Sequence, residues 1–158
     1  MKVKTKSYIY SILIALGVGG LSALISSKGM DIYKTIVRPP LSPPAILFPI
    51  VWSILFVLMG ISAAIIYNTH YAAFGQRTSA LLTYALSLIF NFFWSIIFFN
   101  LRWFGFAFFW ILILLFLIIR TIMKYFKINK VAAYLQIPYL LWVTFATYLN
   151  LAIWYLNK

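Results

Sequence analysis

The sequence predicts an all-α membrane protein: one domain over residues 1–158, folded as a bundle of five transmembrane helices. Three observations predict it. Hydrophobic residues make up 65% of the chain, against about 45–50% in an ordinary soluble domain. Mean hydropathy is +1.02. The thirteen Lys and Arg residues stand in short groups between long apolar runs, as they do where cations flank membrane spans and anchor to headgroups.

Each span follows from the charges that bound it. The uncharged stretches are Ser7–Ser27, Pro39–Gln76, Thr78–Leu101, Trp103–Ile119 and Val131–Asn157. About 20 apolar residues cross a hydrocarbon core. One helix therefore fits in each stretch, at about 7–27, 45–67, 79–100, 104–124 and 131–156. The first span follows Lys2, Lys4 and Lys6 as a signal peptide's apolar region would. It is read as retained, because further apolar spans follow it rather than a cleavage site and a soluble domain. The fourth is short, and Arg120 snorkels while Lys124 marks its exit.

Residues 28–44 join the first two spans and are read as the longest non-helical piece of the chain. Within them, Arg38-Pro39-Pro40-Leu41-Ser42-Pro43-Pro44 cannot form regular helix, because each proline fixes φ and lacks an N–H. This stiff piece suits either a cover over one mouth of the bundle or a rigid linker. Pro49 falls in the first turns of the second span, where a missing donor costs little. Pro138 lies well inside the fifth and frees a carbonyl near Tyr134.

An odd number of spans puts the termini on opposite sides. Lys2, Lys4, Lys6, Arg77, Arg120, Lys124, Lys127 and Lys130 then share one side; Lys28, Lys34, Arg38, Arg102 and Lys158 share the other. The larger group favours a cytoplasmic N-terminus.

Composition removes most enzyme classes. There is no cysteine, one histidine (His70) and one acid (Asp31). Thiol chemistry, a multi-histidine metal site and a carboxylate pair are thus excluded, and no metal site is expected. No phosphate-binding glycine loop is present. The net charge of +12 is distributed as membrane loops distribute it, not as a folded basic face, so no nucleic-acid partner is expected.

Polar and small residues inside the spans need partners. Ala15, Gly19 and Ala23 repeat at four-residue steps, as do Gly60 and Ala64, which suits close helix packing. Tyr84, Ser87, Asn91 and Ser95 share one face of the third span, and mid-span amides face the bundle interior. Thr144, Thr147 and Asn150 sit on the fifth. Two buried asparagines serve either as interhelical glue or as ligand contacts. Trp103, Trp110, Trp154 and Tyr155 suit interfacial anchors. Trp52, Trp94 and Trp142 share helix faces with these candidates, and indoles around a gap would suit a flat aromatic ligand; spacing alone favours packing.

At this point the residues resemble a family. Phe48-Pro49-Ile50-Val51-Trp52 with Met59-Gly60, Asn91-Phe92-Phe93-Trp94 with Phe98-Phe99, and Pro138-Tyr139-Leu140-Leu141-Trp142 with Phe145-Ala146-Thr147 and Leu149-Asn150 resemble three helix signatures of the TspO/MBR family. These are the translocator proteins, also called tryptophan-rich sensory proteins or peripheral benzodiazepine receptors. Arg38-Pro39 and Pro43-Pro44 resemble its first loop.

The resemblance implies a membrane receptor or sensor, often dimeric, whose pocket binds porphyrins of the protoporphyrin IX type and benzodiazepine or isoquinoline ligands. No cofactor is implied. Carried across by position, the ligand-binding residues would be Tyr33, Pro43, Trp52, Asn91, Trp94, Trp142, Ala146, Leu149 and Asn150. Trp52 and Trp142 would be catalytic only if bound porphyrin is broken down by light and oxygen. Porphyrin or lipid transport is a lower alternative, since a single expected mouth offers no second gate. The expected setting is a bacterial cell membrane, with a homodimer as the expected assembly. Leu151 and Tyr155 replace the family's cholesterol-motif Tyr and Arg, which argues against a sterol partner. Leu82 and Leu86 replace the small residues of one dimer seam, and Phe106 replaces a tryptophan of animal members.

Overall fold

A computed structural model describes residues 2–70 and 72–158. Met1, where the sequence-assigned domain begins, and Tyr71 lie outside the described residues. The expected all-helical architecture is what the chain adopts. The helices are α1 (Lys2–Ser26), the single turn α2 (Ile32–Thr35), α3 (Leu47–Tyr67), α4 (Phe74–Ser95), α5 (Phe104–Ile128) and α6 (Lys130–Leu156). Five are long and apolar enough to cross a membrane. Their side chains face hydrocarbon: Leu13, Ile54, Phe109, Phe116 and Leu141 are all exposed.

Several boundaries differ from the sequence-based spans, each for a local reason. α1 starts well before Ser7, so Lys4 and Lys6 ride on the helix and are exposed. α4 starts at Phe74, and Arg77 sits in its first turn. α5 runs past Lys124 to Ile128, because Lys124 finds partners in the bundle: its Nζ donates to Ser79 Oγ and Thr83 Oγ1, each at 2.8 Å. α6 is capped by Asn129, whose Oδ1 accepts from Val131 N at 2.9 Å.

The first connection is not wholly irregular. Gly29–Asp31 forms a 3₁₀ turn that leads into α2, and only the stretch between Thr35 and Leu47 is without helix, carrying turns at Pro40–Leu41 and Ala45–Ile46. That corrects the reading of residues 28–44 as non-helical, since the prolines that forbid helix begin only at Pro39. A second departure follows α4, where Ile96–Asn100 winds as π-helix. Such a segment re-aims the side chains beyond it.

Neighbouring helices close a ring in the order α1, α3, α6, α5, α4 and back to α1. The α1–α3 seam is close-packed at its glycines. A Cβ on Gly60 would lie 2.5 Å from Ile12 Cα, so only glycine lets the backbones meet there. Ser11 Oγ donates to the Gly60 carbonyl at 2.7 Å across this seam. Ala15, Gly19, Gly60 and Ala64 of the small-residue stripes thus serve packing within the chain. α3 and α6 are tied by Ser62 Oγ donating to Ala132 O at 2.7 Å, and Gln136 Nε2 donating to Ser62 Oγ at 3.2 Å.

Candidate functional site

At the end of the bundle where the first connection lies, α1, α3, α4 and α6 leave a hollow between them. They enclose a cavity of about 190 Å³. Trp52 and Phe56 of α3, Asn91 and Trp94 of α4, and Trp142 and Ala146 of α6 line it, while Gly19, Ser22 and Ala23 of α1 form the remaining wall. Met30 and Tyr33 come down on it from the connection. α5 stays outside, packed on α4 and α6.

Aromatic rings define the walls. Trp52 and Trp142 stand nearly perpendicular, with ring centroids 6.5 Å apart and an interplanar angle of 89°. Trp52 stacks on Phe56 at 5.5 Å, and Trp142 meets the edge of Phe48 at 5.8 Å. Phe48 in turn meets Tyr33 at 5.2 Å. Edge-to-face pairs hold each ring in place, so the walls are preformed. The Trp142 Nε1 donor has no hydrogen-bond partner among the described residues. Such an orphan invites explanation.

The two asparagines divide between the roles open to them. Asn150 is glue. Its Oδ1 accepts from Trp94 Nε1 at 2.9 Å, and its Nδ2 donates to the Phe104 carbonyl at 2.8 Å. Asn91 lines the cavity and donates from Nδ2 to Tyr139 Oη at 3.3 Å. Thr144 and Thr147 bond back to Leu140 O and Val143 O within α6, each at 2.7 Å, and reach no neighbouring helix.

The connection is pinned down as well as packed. Tyr33 Oη donates to the Pro43 carbonyl at 2.6 Å. The Arg38 guanidinium lies 4.8 Å from the centre of the Tyr33 ring. Asn157, just past α6, accepts from Val37 N at 3.0 Å and donates to Val37 O at 2.9 Å. Tyr148 Oη donates to Pro40 O at 2.9 Å. Leu41 is held at φ 70° within this stretch, a conformation that strains a side-chain-bearing residue.

The sequence-based candidates therefore separate into three groups. Tyr33, Trp52, Asn91, Trp94, Trp142 and Ala146 line the main cavity. Leu149 and Asn150 line a small adjoining void of about 20 Å³, not the cavity itself. Pro43 lines neither, but its carbonyl holds Tyr33. Sequence reasoning missed the α1 wall, because Gly19 and Ala23 read as a packing stripe. Gly19 has both roles: an added Cβ there would run into the Phe56 ring, and the same absence of a side chain opens the cavity. Ser95 and Phe99 also line the cavity. For Ser95 the signal was its place on the Asn91 face.

Comparison with known proteins agrees with this architecture. The model of the TspO/MBR family matches residues 11–156. The chain is 33% identical to the Tryptophan-rich protein TspO of Chlorobaculum tepidum over 99% of this chain and 98% of that protein. It is 32% identical to the Tryptophan-rich protein TspO of Bacillus cereus over 96% and 97% of the two chains. Against the Translocator protein of Homo sapiens, identity is 27% over 84% of this chain and 79% of the human one. Five membrane-crossing helices, a tryptophan-walled cavity under the first connection and a family match over nearly the whole length make this chain a member of the TspO/MBR family of integral membrane proteins.

Proposed function

We propose that the cavity receives a flat, hydrophobic aromatic ligand of the porphyrin type, and that the protein acts as a membrane receptor or sensor for it. The observation that carries this reading is the perpendicular Trp52–Trp142 pair beside an unpartnered indole N–H. One ring offers a stacking face, and a small turn of the other brings its buried N–H to the ligand. Benzodiazepine and isoquinoline ligands meet the same requirements.

Size sets a condition on binding. A cavity of about 190 Å³ is smaller than the roughly 300–1,000 Å³ usual for a ligand site. A tetrapyrrole therefore requires the connection over the cavity to lift. Its hold on α6 consists of the two Asn157–Val37 hydrogen bonds and the one from Tyr148 to Pro40, which such a movement breaks one by one.

Titration of the purified protein with protoporphyrin IX, read by tryptophan emission, tests the proposal. Trp52→Phe combined with Trp142→Phe should weaken binding about tenfold or more, equivalent to about 1.4 kcal/mol. Unaltered affinity in the double variant sinks this site.

A second reading, light- and oxygen-dependent breakdown of bound porphyrin, draws on the same pair. An indole at the wall is placed to donate an electron to an excited porphyrin. Loss of the porphyrin absorbance in light but not in darkness, abolished by Trp→Phe variants that still bind, favours this chemistry. Equal bleaching of free protoporphyrin eliminates it. Transport ranks below both. Tyr139, bonded to the cavity-lining Asn91, and Ser87 and Tyr84, one and two turns before Asn91 on α4, are buried. We also place the N-terminus in the cytoplasm of a bacterial cell, with the cavity at the outer end and a homodimer as the assembly.

A further inference from the structure

A larger space than the tryptophan cavity lies at the other end of the bundle. It is a crevice of about 500 Å³ between α1 and α4, floored by the end of α3. Its origin is the path of α1. Near the cavity, Ser22 Oγ donates to Phe92 O at 3.3 Å and holds α1 to α4. Towards its N-terminus α1 follows α3 instead, through Ser11 and Gly60, and through Asn68 Nδ2 donating to Ser7 Oγ at 2.7 Å. The gap to α4 opens as a result.

The crevice is amphipathic along its length. Ala63 and Leu81 give an apolar interior, with the buried ring of Tyr84 at its wall. Tyr10, Tyr67 and Lys6 stand at the lip, where the two tyrosine rings are more than half exposed. Arg77 lies beside them: its Nη1 donates to the Tyr67 carbonyl at 2.8 Å, and its Nε has no partner among the described residues. Lys4 is exposed on the same end of α1. The chain's only acidic side chain, Asp31, belongs to the connection at the far end. No carboxylate therefore competes for these cations. Apolar walls beneath a cationic, tyrosine-rimmed lip match the two halves of a lipid, and basic pockets between transmembrane helices hold anionic headgroups.

We propose that this crevice is a binding site for an anionic phospholipid of the surrounding leaflet. Its phosphate sits between Lys6 and Arg77, and one acyl chain lies between α1 and α4. The site is separate from the tryptophan cavity and does not depend on what that cavity binds.

Native mass spectrometry of the full chain, with phosphatidylglycerol and phosphatidylcholine of matched acyl chains, tests it. The expected result is one phosphatidylglycerol adduct retained at about tenfold lower lipid concentration than phosphatidylcholine. Lys6→Gln, at an exposed position, should remove that preference. Leu81→Trp should fill the crevice and reduce retention of both lipids, while Lys34→Gln at the opposite end should alter neither. A melting temperature recorded for each variant checks its fold, and Lys6→Gln alone carries the decision if Leu81→Trp fails to fold. Equal retention of the two lipids, or an adduct that survives Lys6→Gln with its preference intact, overturns the proposal. Oleate that displaces phosphatidylglycerol at lower concentration also overturns it, in favour of a fatty-acid site.

Discussion

Asn150 shows how one side chain decides a packing arrangement. It takes the Trp94 N–H on one atom and the Phe104 carbonyl on the other, joining α4, α5 and α6. Asn150→Ala would leave the buried Trp94 N–H without its acceptor and take the side-chain donor from the Phe104 carbonyl. A loss of about 1–3 kcal/mol is expected, read as a lower melting temperature in detergent. Gly60 decides by having no side chain at all. Gly60→Leu drives atoms into the Ile12 backbone and should destabilise the bundle by about 1–3 kcal/mol or more. Gly17→Ala is the matched control. Nothing lies within 4 Å of its added Cβ, so thermal stability should hold or rise slightly.

Among the elements, the connection between α1 and α3 governs access to the cavity. Its turn of helix places Tyr33 over the opening, and its non-helical half is pinned to the end of α6. Asn157→Ala removes both bonds to Val37 without touching the cavity wall. Each such bond contributes about 0.5–1.5 kcal/mol. Stopped-flow mixing with protoporphyrin should then show association faster by about fivefold or more. An unchanged association rate would show that this pin does not limit entry. The π segment after α4 contributes differently: it carries Phe99 to the cavity wall and Phe98 onto Trp94, with ring centroids 5.1 Å apart.

At the scale of the whole molecule, lipid is the solvent and cations set the orientation. The end that carries Lys4, Lys6, Arg77, Lys127 and Lys130 faces the cytoplasm in the proposed topology. A fluorescent protein fused to the N-terminus should therefore fold and fluoresce in cells, and alkaline phosphatase fused there should be inactive. The reverse pattern would invert the assignment of both the cavity and the crevice to their leaflets. Either way the two spaces open at opposite ends, separated by the packed middle of the bundle.

The sequence by itself determined the five spans, because apolar length is counted directly along the chain and no other fold buries so much of it. It also set Asn91 on an interior face and placed Trp52, Trp94 and Trp142 on faces shared with the other candidates, since helical spacing assigns a face. Where spacing was silent, tertiary contacts decided. Asn150 and Asn91 are the same residue type at comparable depth, yet one is taken up by Trp94 and Phe104 and the other reaches the cavity. The α1 wall, the pinning of Val37 by Asn157 and the crevice beside Lys6 each join residues far apart in the chain. Periodicity reports which way a side chain points from its own helix axis. What it meets there depends on the crossing of a second helix, and that is fixed only when the bundle closes.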